Sequence, residues 1–189
     1  MKSTAHLKTF GENGKMHSLI SGITSSGKTY LAKQLCAGFK RKGRKTIVYD
    51  IFLDDWQCDF VTNDADKFLW TAKHNYNAAL FIDESGASIG RGVDARPFHW
   101  CATMSRHWGH KSFFLMQRIT QIEPIIRSQC SEFYCFRGSQ NDADLLIKET
   151  GSQAFEVLPR LPQYSFLHYA PFQPPKIQRI NAPKTPRKR

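Results

Sequence analysis

Residues 22–29 have the types and spacing of a loop that binds phosphate. Their sequence, GITSSGKT, fits the pattern G-x-x-x-x-G-K-[ST]. Gly22 and Gly27 let the backbone turn so that successive N–H groups point at one polyphosphate. The Lys28 ammonium adds a positive charge, and the Thr29 hydroxyl can ligate Mg²⁺. The loop therefore predicts a nucleotide site. Its predicted binding residues are Gly22, Ser25, Ser26, Gly27, Lys28 and Thr29.

Two acids in succession, Asp83 and Glu84, end a second informative segment. They follow the apolar run AALFI at residues 78–82, which is typical of a buried parallel strand. An acid at the carboxyl end of such a strand can hold the Mg²⁺ that Thr29 also contacts, directly or through water. The acid after it can orient or deprotonate an attacking water. The pair therefore predicts hydrolysis, with Asp83 as a metal ligand and Glu84 as the general base.

Gln117 ends another apolar run, and its amide can sense a γ-phosphate and align water. A site that breaks a phosphoanhydride also needs a cation for the charge that develops in the transition state. When that cation is an arginine from a neighbouring subunit, activity depends on assembly. The candidates are Arg91, Arg96, Arg106, Arg118 and Arg127.

A group of metal-ligating residue types occurs at His99, Cys101, His107 and His110. Their spacing does not match a closed zinc site. We favour a helix face followed by a loop, with these side chains in structural positions.

Strands and helices alternate along the chain in a way that positions these residues. Apolar or β-branched runs predict strands, and amphipathic runs predict helices. Such alternation indicates an α/β fold with a central, mostly parallel sheet. We divide the chain into an arm (1–15), a core (16–158) and a proline-rich basic extension (159–189). The predicted strands are 16–21, 46–52, 78–84, 111–117, 131–137 and 164–169, and the predicted helices are 30–39, 64–73, 98–107 and 142–149.

The charge of the chain favours an anionic polymer as partner. The formal net charge is +11 over 189 residues, and residues 171–189 contain six cations and no acid. A solubilising tail is an equally good explanation for those last residues. Five cysteines in no C-x-x-C arrangement indicate a reducing compartment. We find neither a membrane-spanning run nor a signal peptide, and expect a soluble protein.

Residues 105–118, SRHWGHKSFFLMQR, resemble the corresponding segment of the FtsK–HerA superfamily of DNA-pumping ATPases. The likeness comprises Arg106, the glycine three residues later, the apolar strand and the terminal Gln117-Arg118. With the phosphate loop and the two acids, it covers roughly residues 16–140. In size, the chain is most similar to the genome-packaging ATPases of tectivirus-like viruses, which are tailless, icosahedral and have an internal membrane. One departure is Ile119, where the bacterial translocases commonly have proline.

The resemblance implies a three-layer P-loop NTPase core that uses ATP and Mg²⁺. It implies a homo-oligomeric ring, usually a hexamer, that drives double-stranded DNA into a preformed capsid without reading its sequence. It suggests Arg106 as the arginine that reaches a neighbouring subunit and Gln117 as the sensor. Capsid or membrane vertex proteins are then partners, in the host cytoplasm or at the packaging vertex of the virion. We expect the loop at 86–96 to face the DNA.

Two other classes of function share a phosphate loop of this kind. An assembly factor of a phage or of a secretion-like complex would use the same core on protein rather than DNA. A small-molecule kinase would need an arginine-rich lid, which the sequence does not show. DNA binding that is sensitive to salt and independent of sequence distinguishes a DNA motor from both.

Overall fold

The computed structural model describes residues 16–83 and 96–181, with side chains from residue 98 in the second range. Within them, eight strands form one sheet in the order β3-β2-β4-β5-β1-β6-β7-β8. The first six strands are parallel, and β7 and β8 are antiparallel. The strands are β1 (His17–Ser21), β2 (Thr46–Asp50), β3 (Phe60–Thr62), β4 (Ala79–Asp83), β5 (Lys111–Met116), β6 (Cys130–Phe136), β7 (Ser165–Tyr169) and β8 (Lys176–Arg179).

Helices cover both faces of this sheet, which gives three layers. The α-helices are α1 (Lys28–Arg41), α2 (Ala65–Lys73), α3 (Arg96–Thr103), α4 (Pro124–Gln129) and α5 (Gln140–Thr150). Helix α1 packs on one face, where Leu35 and Phe39 join Phe81 and Phe113 in one apolar cluster. Helices α2, α3 and α5 contribute to a second cluster on the other face. The predicted α/β fold with a mostly parallel sheet is confirmed.

The central strands are apolar because both of their faces are covered. Every residue of β1, β2 and β5 is buried, and so are four of the five in β4. We call the side where the parallel strands end the carboxyl edge, and the side where they begin the amino edge. Loops at the carboxyl edge of such a sheet form the usual ligand site.

A buried polar network joins four of the strands. The Glu132 carboxylate accepts hydrogen bonds from Ser18 Oγ at 2.7 Å and Tyr134 OH at 2.9 Å. It also lies 2.6 Å from Lys111 Nζ and 3.0 Å from His168 Nε2. Burial alone would raise the pKa of Glu132, but hydrogen bonds from His168, Lys111 and Ser18 lower that pKa to about 2. The charged carboxylate therefore ties β1, β5, β6 and β7 together.

Several elements differ from the sequence prediction. The helix predicted at 98–107 is divided into α3 and a 3₁₀ helix, Ser105–Trp108. Ser105 Oγ donates to Cys101 O at 2.7 Å, and Gly109, at φ 75, ends the turn. The short strands β3 and β8 were not predicted. The guess that the loop at 86–96 faces DNA concerns residues outside the described ranges, apart from the backbone of Arg96.

The five cysteines are free thiols, four of them buried. In residues 16–83 and 96–181, no helix is long and apolar enough to cross a membrane.

Candidate nucleotide site

The carboxyl edge brings three predicted site regions together. The loop at 22–27 follows β1, Asp83 ends β4 and Gln117 follows β5. Strand β5 lies between β1 and β4, and Met116 and Leu115 are in register with Ser21 and Asp83. Gln117 is exposed between the loop and Asp83. Strand order, rather than sequence distance, creates this arrangement.

The phosphate loop needs glycine at both of its ends. Gly22 has φ 148, and a Cβ there would lie 2.6 Å from Phe136 Cβ. Gly27 has φ 115, and a Cβ there would lie 2.8 Å from Ile180 Cδ1. Ser25 also has a left-handed backbone, at φ 60. A larger residue at either glycine would therefore disturb the backbone conformation of the loop and its close packing against Phe136 and Ile180.

The loop leads directly into α1. Gly27 is the N-cap and supplies no side-chain hydrogen bond, and Leu31 N donates to Gly27 O at 2.9 Å. The amides of Lys28 and Thr29 belong to the first turn, where no intrahelical acceptor exists, so they are suited to an anion. Lys28 Nζ donates to Ile23 O at 3.0 Å. Burial lowers the pKa of Lys28, and the nearby Asp83 opposes that shift.

Thr29 and Asp83 are in direct contact. Thr29 Oγ1 donates to Asp83 Oδ2 at 3.3 Å, across 54 positions of sequence. Burial, and after it the neighbouring Asp50, raise the pKa of Asp83 to about 6 against the opposing effects of Thr29 and Lys28. A divalent cation at this position would favour the ionised carboxylate.

Asp50 is a site residue that the sequence analysis missed. It is in register with Asp83 on the adjacent strand and is buried. Its carboxylate accepts hydrogen bonds from the amides of Phe52 and Asp54 and from Trp56 Nε1, at 2.9–3.0 Å. The sequence did contain a signal, because β2, like β4, is an apolar strand that ends in aspartate.

The segment after α5 supports the phosphate loop from outside. Gln163 Nε2 donates to Ser25 O at 3.1 Å, and Tyr164 N donates to Ser26 O at the same distance. Ile180 N donates to Tyr164 O at 2.9 Å, which brings the Ile180 side chain onto Gly27. No local sequence pattern indicates these contacts, because they depend on how β7 and β8 extend the sheet.

The remaining predicted residues lie as follows. Arg106 is exposed at the amino edge, just before β5, and its guanidinium contacts the Gln129 side-chain oxygen. Arg127 pairs with Glu149 at 2.7 Å, and Arg118 is exposed next to Gln117. Glu84, Arg91 and the side chain of Arg96 lie outside the part of the chain that the structure describes.

The members of the His/Cys group differ in their surroundings. His110 Nδ1 accepts from Ala78 N at 3.0 Å, Cys101 is fully buried, and His107 is exposed. In the described part of the chain, no group of three or more His, Cys, Asp or Glu side chains is arranged to hold a metal ion.

The residues present fit a triphosphate with a magnesium ion. Two glycines allow a close approach to the backbone, and the Ser26 hydroxyl is buried with no partner among the described residues. Magnesium retains most of its water and takes only one or two protein ligands, so Thr29 and Asp83 are a sufficient pair.

Comparison with solved structures reveals the same fold in viral and bacterial ATPases. The genome-packaging NTPase B204 of Sulfolobus turreted icosahedral virus 2, in complex with ATP-gammaS, matches with a TM-score of 0.74 and 22% identity. The match covers 88% of this chain and 98% of that one. The pCW3 conjugation coupling protein TcpA matches at 0.63 and 15% identity, over 84% and 58% of the two chains. The type VII secretion ATPase EccC of Thermomonospora curvata matches at 0.66 and 13%, over 90% and 24%.

Searches of protein-family models and of curated proteins find no match. The structural neighbours confirm the P-loop fold and the resemblance to packaging ATPases at the level of fold.

Proposed function

We propose that this chain is an ATPase that drives double-stranded DNA, most specifically a viral genome entering a preformed capsid. The observation that carries the proposal is the contact of Thr29 with Asp83 beside the phosphate loop, in a fold shared with a packaging NTPase along nearly its whole length. Nucleotide binding by itself requires only the phosphate loop. Asp83 adds a second ligand for a metal ion that assists cleavage of the phosphoanhydride bond.

Each predicted residue has a task in this proposal. The amides of the loop and of the first turn of α1 hold the phosphates, and Lys28 neutralises part of their charge. Thr29 and Asp83 would hold Mg²⁺, which supplies compensation for negative charge on the phosphates. Gln117, which lies between the loop and β4, orients the attacking water, and Glu84 accepts a proton from that water.

Assembly into a homo-oligomeric ring, with a hexamer as the expected form, completes the proposed site. Arg106 lies at the amino edge, and β5 spans about 20 Å, so this arginine is far from the phosphate loop of its own copy. A neighbouring copy that places its amino edge against this carboxyl edge would supply Arg106 to the transition state.

The proposed partners follow from charge and from the resemblance. A net charge of +11 suits sequence-independent contact with DNA phosphates. Capsid or membrane vertex proteins would anchor the ring, at the packaging vertex of the virion or in the host cytoplasm.

A second candidate, an assembly or secretion ATPase that acts on protein, is favoured by one observation. EccC, a secretion ATPase, shares the fold at a TM-score of 0.66. Its low identity and the 24% coverage of that chain make this the weaker candidate.

The test is ATP hydrolysis by the full chain with and without random-sequence duplex DNA, together with the mass in solution. We expect Mg²⁺-dependent hydrolysis that DNA stimulates, and loss of hydrolysis in Lys28→Ala. Folded protein without hydrolysis under either condition would overturn the ATPase proposal. Hydrolysis without DNA binding, together with binding to a coat or membrane protein, would favour the second candidate.

A further inference from the structure

The two edges of the sheet differ in charge. Three turns at the amino edge, residues 41–45, 73–77 and 104–110, lead into β2, β4 and β5. They contain no Asp or Glu, and their cations are Arg41, Lys42, Arg44, Lys45, Lys73 and Arg106. At the carboxyl edge, residues 50–55 contain three aspartates and no Lys or Arg. Asp59 lies instead at the amino edge, where its carboxylate accepts from Thr46 N at 2.8 Å and pairs with Lys40 at 3.2 Å. The amino edge therefore presents positive charge on the side away from the nucleotide site.

Hydrogen bonds join the three turns into one surface. The Arg44 guanidinium donates to the carbonyls of Asn77 at 3.0 Å, Ala78 at 3.2 Å and Gly109 at 2.7 Å. Lys45 Nζ donates to Asn75 Oδ1 at 2.8 Å. The turns before β2, β4 and β5 are thus fixed relative to one another.

Aromatic side chains lie among these cations. Trp70 is 64% exposed and Tyr76 is 74% exposed. The Trp70 ring stacks on His74, with centroids 4.2 Å apart. Lys73, one residue before His74, is exposed, with its ammonium over the Trp100 ring. Large exposed aromatic rings beside cations are what nucleic-acid surfaces use to contact bases and sugars.

A structural explanation accounts for only part of this pattern. Cations at the carboxyl ends of α1 and α2, such as Arg41 and Lys73, are stabilised by the helix dipoles. The dipoles do not explain why Trp70 and Tyr76 are exposed, nor why the three turns contain no acid.

We propose that the amino-edge turns at 41–45 and 73–77, with Trp70, form a nucleic-acid contact surface that grips phosphates through Arg41, Lys42 and Lys73. The adjoining turn at 104–110 carries Arg106 toward the neighbouring copy of the proposed ring. This inference rests on the proposed DNA partner, but not on the phosphate loop. Trp70 and Tyr76 pack on sugars and on any exposed bases. Recognition is independent of sequence, because ammonium and guanidinium groups on phosphates carry no base information.

The experiment measures binding of the full chain to labelled random-sequence DNA, duplex and single-stranded, by fluorescence anisotropy over a range of salt. The test variant combines Arg41→Gln, Lys42→Gln and Lys73→Gln. The control combines Lys67→Gln, Lys148→Gln and Arg160→Gln, which removes the same charge from exposed positions elsewhere. A third variant carries Trp70→Ala and Tyr76→Ala.

We expect the test variant to reduce the slope of log K against log[salt] by about 3, since each lost phosphate contact removes about 0.9. The control should retain nearly the wild-type slope. The aromatic variant should keep the slope and lose about tenfold in affinity for single strands. ATP hydrolysis without DNA should be unchanged in all three, which shows that they fold.

Three results would overturn the inference. Equal slopes in the test and control variants would mean that DNA binds elsewhere, with the proposed function intact. No binding by the wild-type chain to either DNA would reject the DNA partner as well. A smaller mass of the test variant in the absence of DNA would assign this surface to a contact between copies.

Discussion

Single residues at the carboxyl edge differ in what they can still bind. Asp50 already accepts two amides and an indole N–H, so its carboxylate holds the loop after β2. Asp83 receives the Thr29 hydroxyl and has a pKa raised to about 6, chiefly because of burial and then because of Asp50. A buried carboxylate beside another acid gains most from a cation. The two aspartates thus have different roles: one positions a loop, and the other is available to a metal.

Glu84→Gln tests the base at the residue scale. The amide keeps the size of the side chain but cannot take a proton, so we expect nucleotide affinity to persist and hydrolysis to fall about 10²–10⁴-fold. Nucleotide binding and phosphate release, measured on the same preparation, check this. Asp83→Asn is the comparison, since it should weaken Mg²⁺-dependent binding as well. Turnover that persists in Glu84→Gln would mean that another group takes the proton.

Glu132→Gln tests the buried network. Removing the charge of Glu132 leaves Lys111 buried without a counter-charge. We therefore expect a loss of about 3–5 kcal/mol in the free energy of unfolding at neutral pH. The same change at Glu149, which pairs with Arg127 nearer the surface, should cost about 1 kcal/mol or less. Urea denaturation of the two variants measures the difference.

The network also predicts how the stability of the fold changes with pH. The pKa of Glu132 in the folded chain is about 2, below its ordinary value of 4.5. Its contribution is therefore complete above pH 4.5 and is lost as the pH falls from there toward 2. The stability difference between wild type and Glu132→Gln should shrink over that range. A difference that stays constant between pH 6 and pH 3 would contradict the ionised pair.

At the scale of elements, the antiparallel hairpin of β7 and β8 supports the phosphate loop. The Ile180 side chain packs on Gly27, and Tyr164 N holds Ser26 O. These contacts favour one conformation of a loop that has two positive-φ glycines and Ser25 at φ 60. A nucleotide that binds only this conformation binds more weakly when the conformation is less populated.

Ile180→Ala tests this support. We expect nucleotide affinity to fall about threefold or more, and stability to fall by about 2–4 kcal/mol because Ile180 is 7% exposed. Ile177→Ala is the matched control, since Ile177 lies on β8 and is 59% exposed. Calorimetric titration with an ATP analogue and thermal unfolding check both. Equal affinities in the two variants would show that the hairpin does not position the loop.

The elements that the sequence predicted are those whose pattern is local. The parallel strands are continuous apolar runs, and α5 begins at a Ser139–Asp142 capping box and ends at Gly151. The phosphate loop and Asp83 were found because a motif and an apolar strand ending in acids are both short patterns. Thr29 and Asp83, which the sequence predicts as ligands of one magnesium ion, are in direct contact.

The features that the sequence did not predict depend on tertiary contacts. Strand β8 reads KIQR, with no apolar alternation, and it is a strand because β7 supplies its hydrogen bonds. Strand β3 has three residues and pairs only with β2 in the described sheet. The packing of Ile180 on Gly27 joins positions 153 residues apart, which no local pattern encodes.

At the scale of the whole molecule, the residues predicted to act in hydrolysis lie at two opposite edges of the sheet in one copy. The phosphate loop and Asp83 lie at the carboxyl edge, and Arg106 lies at the amino edge, beside Gln129 and near His17. Burial and the charge of Arg106 lower the pKa of His17 to about 4, so His17 is neutral next to this arginine at pH 7. A head-to-tail arrangement of copies would unite the two edges.

Arg106→Ala tests whether the two edges act together. We expect nucleotide binding to stay intact, because Arg106 lies outside the loop of its own copy, and assembly-dependent hydrolysis to fall about 10³–10⁵-fold. Arg160→Ala, another exposed arginine, should hydrolyse ATP like the wild type. When Arg106→Ala and Lys28→Ala chains are mixed, the second can donate Arg106 to the intact loop of the first. Hydrolysis by the mixture should therefore exceed that of either variant alone. If no mixing ratio restores activity while light scattering shows mixed assemblies, Arg106 does not act across subunits.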